Sequence, residues 1–247
     1  MHQVTTDDRS ENEGKADDHK HASIPENEVE NRFVNSNETA VARWLAIHDE
    51  LLRGISHALS NRIATVGAAS YMFEHGDVAV EQAVASLRAE SERMDQLLQQ
   101  LRLLPQRLDA AAEPITADDA CNSAVKLHAH HGELRDFVCD VTVDPDVYPI
   151  WAEPHGFAHA LLVALTTAKR NAVNGSRITL RVSGDTNVVR FCVVADEHVV
   201  DADAQNEVDA SAARWLLTPH GGTARALPHG CELEVPTLLA ARRARKG

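Results

Sequence analysis

The residue best placed to do chemistry is a histidine inside a helical pattern. His57 lies in the run Gly54-Ile55-Ser56-His57-Ala58-Leu59-Ser60-Asn61-Arg62-Ile63. Ile55 and Leu59, two positions to either side, belong to an apolar seam. At about 100° per residue, His57 therefore points away from that seam toward solvent. An exposed imidazole, neutral near pH 7, is a nitrogen nucleophile. On local features alone an ordinary surface histidine is the better account, because the chain has 14 of them. Asn61 lies four residues on, one turn above His57 on the same face. Its amide can hydrogen-bond without carrying charge, although a solvated helix residue accounts for it as well. Arg53 and Arg62 flank His57 by about a turn or more. They could steer an acidic partner surface, and a solvated face explains them nearly as well. Ala58, directly after His57, offers no carboxylate to take a proton.

The other histidines point less clearly to chemistry. His128, His130 and His131 cluster at the end of a helical pattern, where they can meet its last carbonyls. His155 and His159 are four apart, the spacing of half a zinc site, but no further ligand is evident. His48 falls on the apolar seam and reads as a packed histidine. His19 and His21 sit in a polar tail. Cys121, Cys139, Cys192 and Cys231 form no CxxC pair, so reduced, buried thiols are expected rather than a disulfide framework or a zinc site.

The elements that must position these residues follow from periodicity. Residues 1–35 are polar and acidic: residues 1–31 hold nine Asp or Glu against three Lys or Arg. Such a stretch cannot offset its ordering entropy and is expected to be a disordered tail. Ser36-Asn37-Glu38-Thr39 reads as a helix start. From there to Gly76, Val41, Trp44, Leu45, His48, Leu51, Leu52, Ile55, Leu59, Ile63, Val66, Ala69 and Phe73 recur at spacings of three and four. Gly76 suits the residue after a helix. A second helix is expected from Val78 to about Asp109, with Pro105 near its end. Together, residues 36–110 form a long antiparallel hairpin. A lone hairpin leaves an apolar stripe bare, so a homodimeric four-helix bundle is expected.

After Glu113-Pro114 the texture changes. Helices are expected over Thr116–Gly132, Pro154–Asn171 and Asp209–Pro219. Alternating segments over Asp136–Val143, Ser176–Val182, Asn187–Val194 and Cys231–Val235 read as strands. Residues 114–236 thus predict an α/β sandwich, followed by a basic tail over 237–247. Hydrophobic residues make up 44% of the chain, enough for a core, while aromatics are only 4%. That core must therefore be largely Ala, Leu and Val, which favours helices. A net charge of -13 argues against a general nucleic-acid binder. No apolar run approaches the roughly 20 residues of a membrane span, and residues 1–30 hold no apolar signal core. A soluble, cytoplasmic protein is expected, with neither nucleic acid nor membrane as partner.

A hairpin followed by such a sandwich resembles the core of two-component sensor histidine kinases over about residues 40–236. The run around His57 resembles the phosphoacceptor box of that family, Ser-His-Glu-Leu-x-Thr/Asn-Pro-Leu. Ala152-Glu153-Pro154, followed by Leu161-Leu162-Val163-Ala164-Leu165-Thr166-Thr167-Ala168, is similar to the family's Ala-Asp-Pro…Leu-Leu-Asn-Leu-Leu-x-Asn-Ala. His220-Gly221-Gly222, then Gly230-Cys231-Glu232-Leu233-Glu234-Val235-Pro236, resembles its His-Gly-Gly and final strand. By this resemblance His57 is the phosphoacceptor. Asn61 stands where the family orients the water that hydrolyses a partner's phosphoaspartate.

The departures from the family pattern matter more. Its two Mg-ATP asparagines fall on Val163 and Thr167. Its adenine aspartate falls on Ala195, unless the register slips by one onto Asp196. Its glycines fall on Glu197, Val199, Glu207, Val208 and Asp209. Valine gives an ion no oxygen, and carboxylates repel phosphates that glycine N–H groups would cradle. The acid that family kinases carry after the histidine is Ala58, and the following proline is Arg62. The resemblance thus implies a histidine phosphotransferase on a degenerate kinase core. It would bind no cofactor itself, with Mg²⁺ supplied by a partner response-regulator receiver. The alternatives are a divergent ATP-dependent sensor kinase, or a response-regulator phosphatase or scaffold.

Overall fold

The computed structural model describes residues 26–76, 79–102, 111–134, 137–198 and 203–245. Helix α1 runs over Glu26–Glu74 and α2 over Val80–Leu101. Gly76, at φ +77°, turns the chain between them in the left-handed region that glycine enters without strain. The start of α1 precedes the expected cap at Ser36 by ten residues. Residues 1–25 of the expected tail lie outside the described residues, as does Pro105. Helix α2 is described as far as Leu101, and residues 103–110, where the expected helix would continue to Asp109, lie outside the described residues.

The sandwich then follows: β1 (Glu113–Ile115), α3 (Ala117–His128), a 3-10 turn (Gly132–Leu134), β2 (Cys139–Val143), β3 (Ile150–Ala152), α4 (Pro154–Asn171), β4 (Ile178–Gly184), β5 (Val188–Ala195), α5 (Asp203–Leu217), β6 (Thr223–Leu227), β7 (Gly230–Pro236) and α6 (Leu238–Ala244). Five strands form one sheet in the order β2-β4-β5-β7-β6, and β1 and β3 form a separate antiparallel pair. Strands β1, β3 and β6 were not expected from the sequence. Helix α5 begins six residues before Asp209, and α6 takes up part of the expected basic tail.

Local chemistry starts the helices. The Thr116 hydroxyl accepts from the Asp119 N–H at the head of α3. Glu153 accepts from the His155 and Gly156 N–H groups at the head of α4, with Pro154 at the first helical position. Along the sheet, residues alternate. Ile178, Leu180, Val182, Val189, Phe191, Val193, Leu233 and Val235 are buried under the helices. Their neighbours Arg181, Arg190, Glu232 and Glu234 face outward and pair, as in Arg190–Glu234 at 2.8 Å. Helix α4 is buried almost throughout, between the sheet, α3 and α5. The Phe157 and Phe191 rings meet edge-on at 4.8 Å. Each such core side chain contributes on the order of 1.5–3 kcal/mol by leaving water.

The apolar seam of α1 is covered in two different ways. Its first half, Ala40, Ile47, Leu51 and Ile55, is buried, with the chain's own α5 packed along it. Trp44 meets Trp215 of α5 with ring centroids 5.7 Å apart. The seam expected at Val41 and His48 is therefore rotated onto Ala40 and Ile47. Beyond that first half Ile63, Tyr71, Met72 and Phe73 remain exposed, as do Val80 and Val84 at the start of α2. Among the described residues no helix is long and apolar enough to cross a membrane.

Candidate functional site

His57 is exposed on α1. The Asn61 amide nitrogen lies 3.4 Å from its Nε2. An amide N–H facing Nε2 favours the tautomer with the proton on Nδ1, with the Nε2 lone pair accepting from the Asn61 amide. His57 and Asn61 sit at the mouth of a depression of about 290 Å³, also lined by Gly54, Ala58, Arg62, Ala129 and His130. The depression has walls from both halves of the chain. Ala129 and His130 belong to the turn after α3, and that turn rests on α1 at Gly54. A Cβ on Gly54 would fall 1.6 Å from the His130 carbonyl oxygen, so only glycine permits this approach.

The two arginines flanking His57 have different surroundings. Arg53 pairs with Glu50 on the surface. Arg62 reaches Glu90 of α2 at 3.4 Å, and Arg93 binds the same carboxylate. Glu90 is only 3% exposed. Arg62 is therefore tied into the hairpin as well as lining the depression. His130 Nε2 lies 2.5 Å from Gln100 Oε1 of α2.

Thr167 of α4 and Asp209 of α5 are two of the positions on which the family's nucleotide ligands were expected to fall, and the crevice between these two helices is closed by direct contacts. Asp209 is fully buried. Its carboxylate accepts from the Thr167 hydroxyl at 2.8 Å, from Arg170 at 2.7 Å and from Arg43 of α1 at 2.6 Å. Asn206 accepts from Asn171 and Arg170. The hydroxyls of Thr166 and Thr167 also bond the Val163 carbonyl. Ala195 is buried at the end of β5, while Asp196 points to the outer side and accepts from Thr179. Strand alternation thus rules out a slip that would aim Asp196 into the crevice. Glu197 is exposed, and Val199 lies outside the described residues.

His155 and His159 do not share an open face. His159 is fully buried, edge-on to the Trp44 ring and tilted against that of His48. Burial, aided by the nearby His48 and His155, pushes its pKa down to about 3, so it is neutral. His48 is half-buried in the same cluster, at the edge of the seam rather than on it. Burial next to His131 and His130 likewise lowers His128 to about 4. Burial raises the Cys121 and Cys231 thiols to about 12, which makes them inert packing groups. Among the described residues no cluster of three or more His, Cys, Asp or Glu could hold a metal ion.

Sequence reasoning missed the Gly54–His130 approach and the partners of Asp209. The one signal for the latter was an acid, Asp209, set between Val208 and Ala210.

No family profile matches the chain, and no curated protein matches it. Solved structures do. A histidine kinase from Burkholderia phymatum is 15% identical, covering 83% of this chain and 98% of its own, at a TM-score of 0.43. The Acinetobacter baumannii histidine kinase AdeS is 13% identical, covering 73% and 96%, at 0.41. A bacterial phosphotransferase is 17% identical, covering 77% and 96%, at 0.41.

Proposed function

We propose that this protein is a histidine phosphotransferase of a phosphorelay. His57 takes a phosphoryl group from the phosphoaspartate of one response-regulator receiver and passes it to another, without ATP. The observation that carries this reading is the α4–α5 crevice filled by Asp209 and its partners. The Asp209 side chain and its partners Thr167, Arg170 and Arg43 occupy the space a triphosphate would need. His57 meanwhile remains open to a protein partner.

In the step proposed, the Nε2 lone pair attacks phosphorus in line. The N–P bond forms as the P–O bond to aspartate breaks, and the carboxylate keeps the electron pair. The receiver's Mg²⁺ neutralises charge on the transferring group. No base beside His57 is required, because Nε2 already carries its lone pair. The bare half of the hairpin fits burial against a second copy in a four-helix bundle.

The Asn61–His57 contact favours one second reading, a receiver phosphatase in which Asn61 orients water. The test is incubation of wild type, His57→Ala and Asn61→Ala with a phosphate-labelled receiver, and separately with labelled Mg-ATP. Label should pass from the receiver to wild type and Asn61→Ala but not to His57→Ala, and ATP should label none. Label from ATP on His57 would instead make the protein a divergent kinase. Unlabelled protein that still speeds loss of receiver phosphate, with Asn61→Ala inactive, would make it a phosphatase.

A further inference from the structure

The arginines of the sandwich fall into two sets. Arg170, Arg177, Arg181, Arg190, Arg214 and Arg225 each pair with a carboxylate. Arg242, Arg243 and Arg245, on α6 and just after it, are exposed and form no ion pair among the described residues. The partners of the last two are neutral. Arg243 donates to Asn187 Oδ1 at 3.2 Å, and the Arg245 guanidinium lies 4.6 Å from the centre of the Trp151 ring. These contacts hold two of the three guanidiniums in place while leaving their charge uncompensated by any acid. Such a patch stands out on a chain whose net charge is -13. Like charges so close together repel, and an anion that settles among them relieves that repulsion.

The patch lies at the same end of the sandwich as the first half of α1. Asn37 of α1 lines one hollow with Thr218 and Pro219. The turn that follows these two reaches Gly221, where a Cβ would stand 3.8 Å from Pro236 Cγ. Pro236 leads directly into Thr237, the cap of α6. Residues 1–25, which precede α1, carry six Asp or Glu against three Lys or Arg. Their excess of acids matches the three arginines. They join α1 at Glu26, about 16 Å along the helix from Asn37, and a chain of that length can span up to about 80 Å. We propose that the acidic segment 1–25 docks on the Arg242–Arg243–Arg245 face of α6 in its own chain. Tethering keeps its carboxylates near the patch at roughly millimolar effective concentration, so exposed ion pairs that are individually weak act together. The segment shields the patch from other anions until salt or a more acidic surface displaces it. This docking is independent of the chemistry assigned to His57.

The test uses the full chain and a short cross-linker that joins an amine to a guanidinium. Lys15 and Lys20 lie within the acidic run, so docking brings them within reach of Arg242, Arg243 and Arg245. Products are mapped by mass spectrometry on an equal mixture of unlabelled and nitrogen-15-labelled chains, which separates links within a chain from links between chains. Links to the α6 arginines should form within one chain, well above the background set by Arg177 and Arg181 on the outer face of the sheet. The combined variant Asp7→Asn, Asp8→Asn, Glu11→Gln, Glu13→Gln, Asp17→Asn and Asp18→Asn leaves α1 and everything after it unchanged. It should lower the yield about five- to ten-fold, each of three exposed pairs counting for about two-fold. Salt at about 0.5 M should lower it comparably in the wild type. A yield no higher than that at Arg177 and Arg181 overturns the docking. So does a yield that stays within about two-fold in the neutralised chain or in high salt. Links found only between differently labelled chains assign the patch to a second copy and overturn the proposal as well.

Discussion

Asp209→Ala is the sharpest test of how this chain is assembled. The change removes a fully buried carboxylate that three donors approach within 2.8 Å: Thr167, Arg170 and Arg43. Two of them are guanidiniums, and their charges would be left without a partner. Deleting one member of a buried ion pair costs about 3–5 kcal/mol. Here the Arg43 and Arg170 side chains are 21% and 31% exposed, so water recovers part of that loss. The expected cost is about 2–4 kcal/mol. For a chain of this length about 1 kcal/mol shifts the melting temperature by about 2–4 °C, so a fall of roughly 4–16 °C should follow. The assay is thermal and urea unfolding of wild type, Arg43→Ala, Asp209→Ala and the double variant. Arg43 sits on α1 and Asp209 on α5, so their coupling energy isolates the tether between the hairpin and the sandwich. It should be about 1–3 kcal/mol. An Asp209→Ala protein within about 1 kcal/mol of wild type, with no coupling to Arg43, would refute a closed crevice.

Three further outcomes are expected. Gly54→Ala cannot hold a Cβ 1.6 Å from the His130 carbonyl, so it should lower the melting temperature and slow phosphohistidine formation together; an unchanged melt would contradict the close approach. His159 titrates near 3 when folded against an ordinary 6.5. Its contribution is therefore present above about pH 6.5 and is lost as pH falls, by about 1.4 kcal/mol per unit down to about pH 3. Urea unfolding at pH 7 and pH 5 should show a loss that His159→Leu reduces by about 2 kcal/mol. The exposed Ile63, Met72, Phe73 and Val80 should be covered by a second copy, so light scattering at micromolar concentration should give twice the chain mass, and Phe73→Glu should shift it toward one.

The parts of this fold that were legible in the sequence are those fixed by local rules. Helix α4 starts and stops where Glu153-Pro154 and Asn171 place it, because a cap and an apolar run mark it unambiguously. Strands β4 and β5 followed from alternation, since each buries one face only, and β7 from its alternation of apolar and acidic residues. Strand β6 escaped: of Thr223–Leu227 only Ala224 is buried, and the segment is a strand because β7 offers it an edge. Residues 26–35 read as tail because they carry no apolar stripe, the main sequence signal of a helix. At the site, the exposure of His57 and its proximity to Asn61 were readable from spacing along one helix. The meeting of Gly54 with His130, and of Arg43 with Asp209 at 166 residues' separation, depends on tertiary contacts that leave no local pattern.

The continuity of α1 has a geometric consequence for any protein that reaches His57. Arg43, which fastens α1 to the sandwich, and His57 lie fourteen residues apart on one unbroken helix. At about 1.5 Å and 100° per residue, that is about 21 Å along the axis and about 40° around it. His57 thus lies near the azimuth of Arg43, on the flank beside the seam that α5 covers rather than on the covered face. A receiver that brings an aspartate to His57, as proposed, has to approach past the sandwich on that flank, through a restricted sector of directions. A donor as small as phosphoramidate meets no such restriction, so the ratio of receiver-driven to phosphoramidate-driven labelling across a set of receivers measures how strongly that sector selects among them.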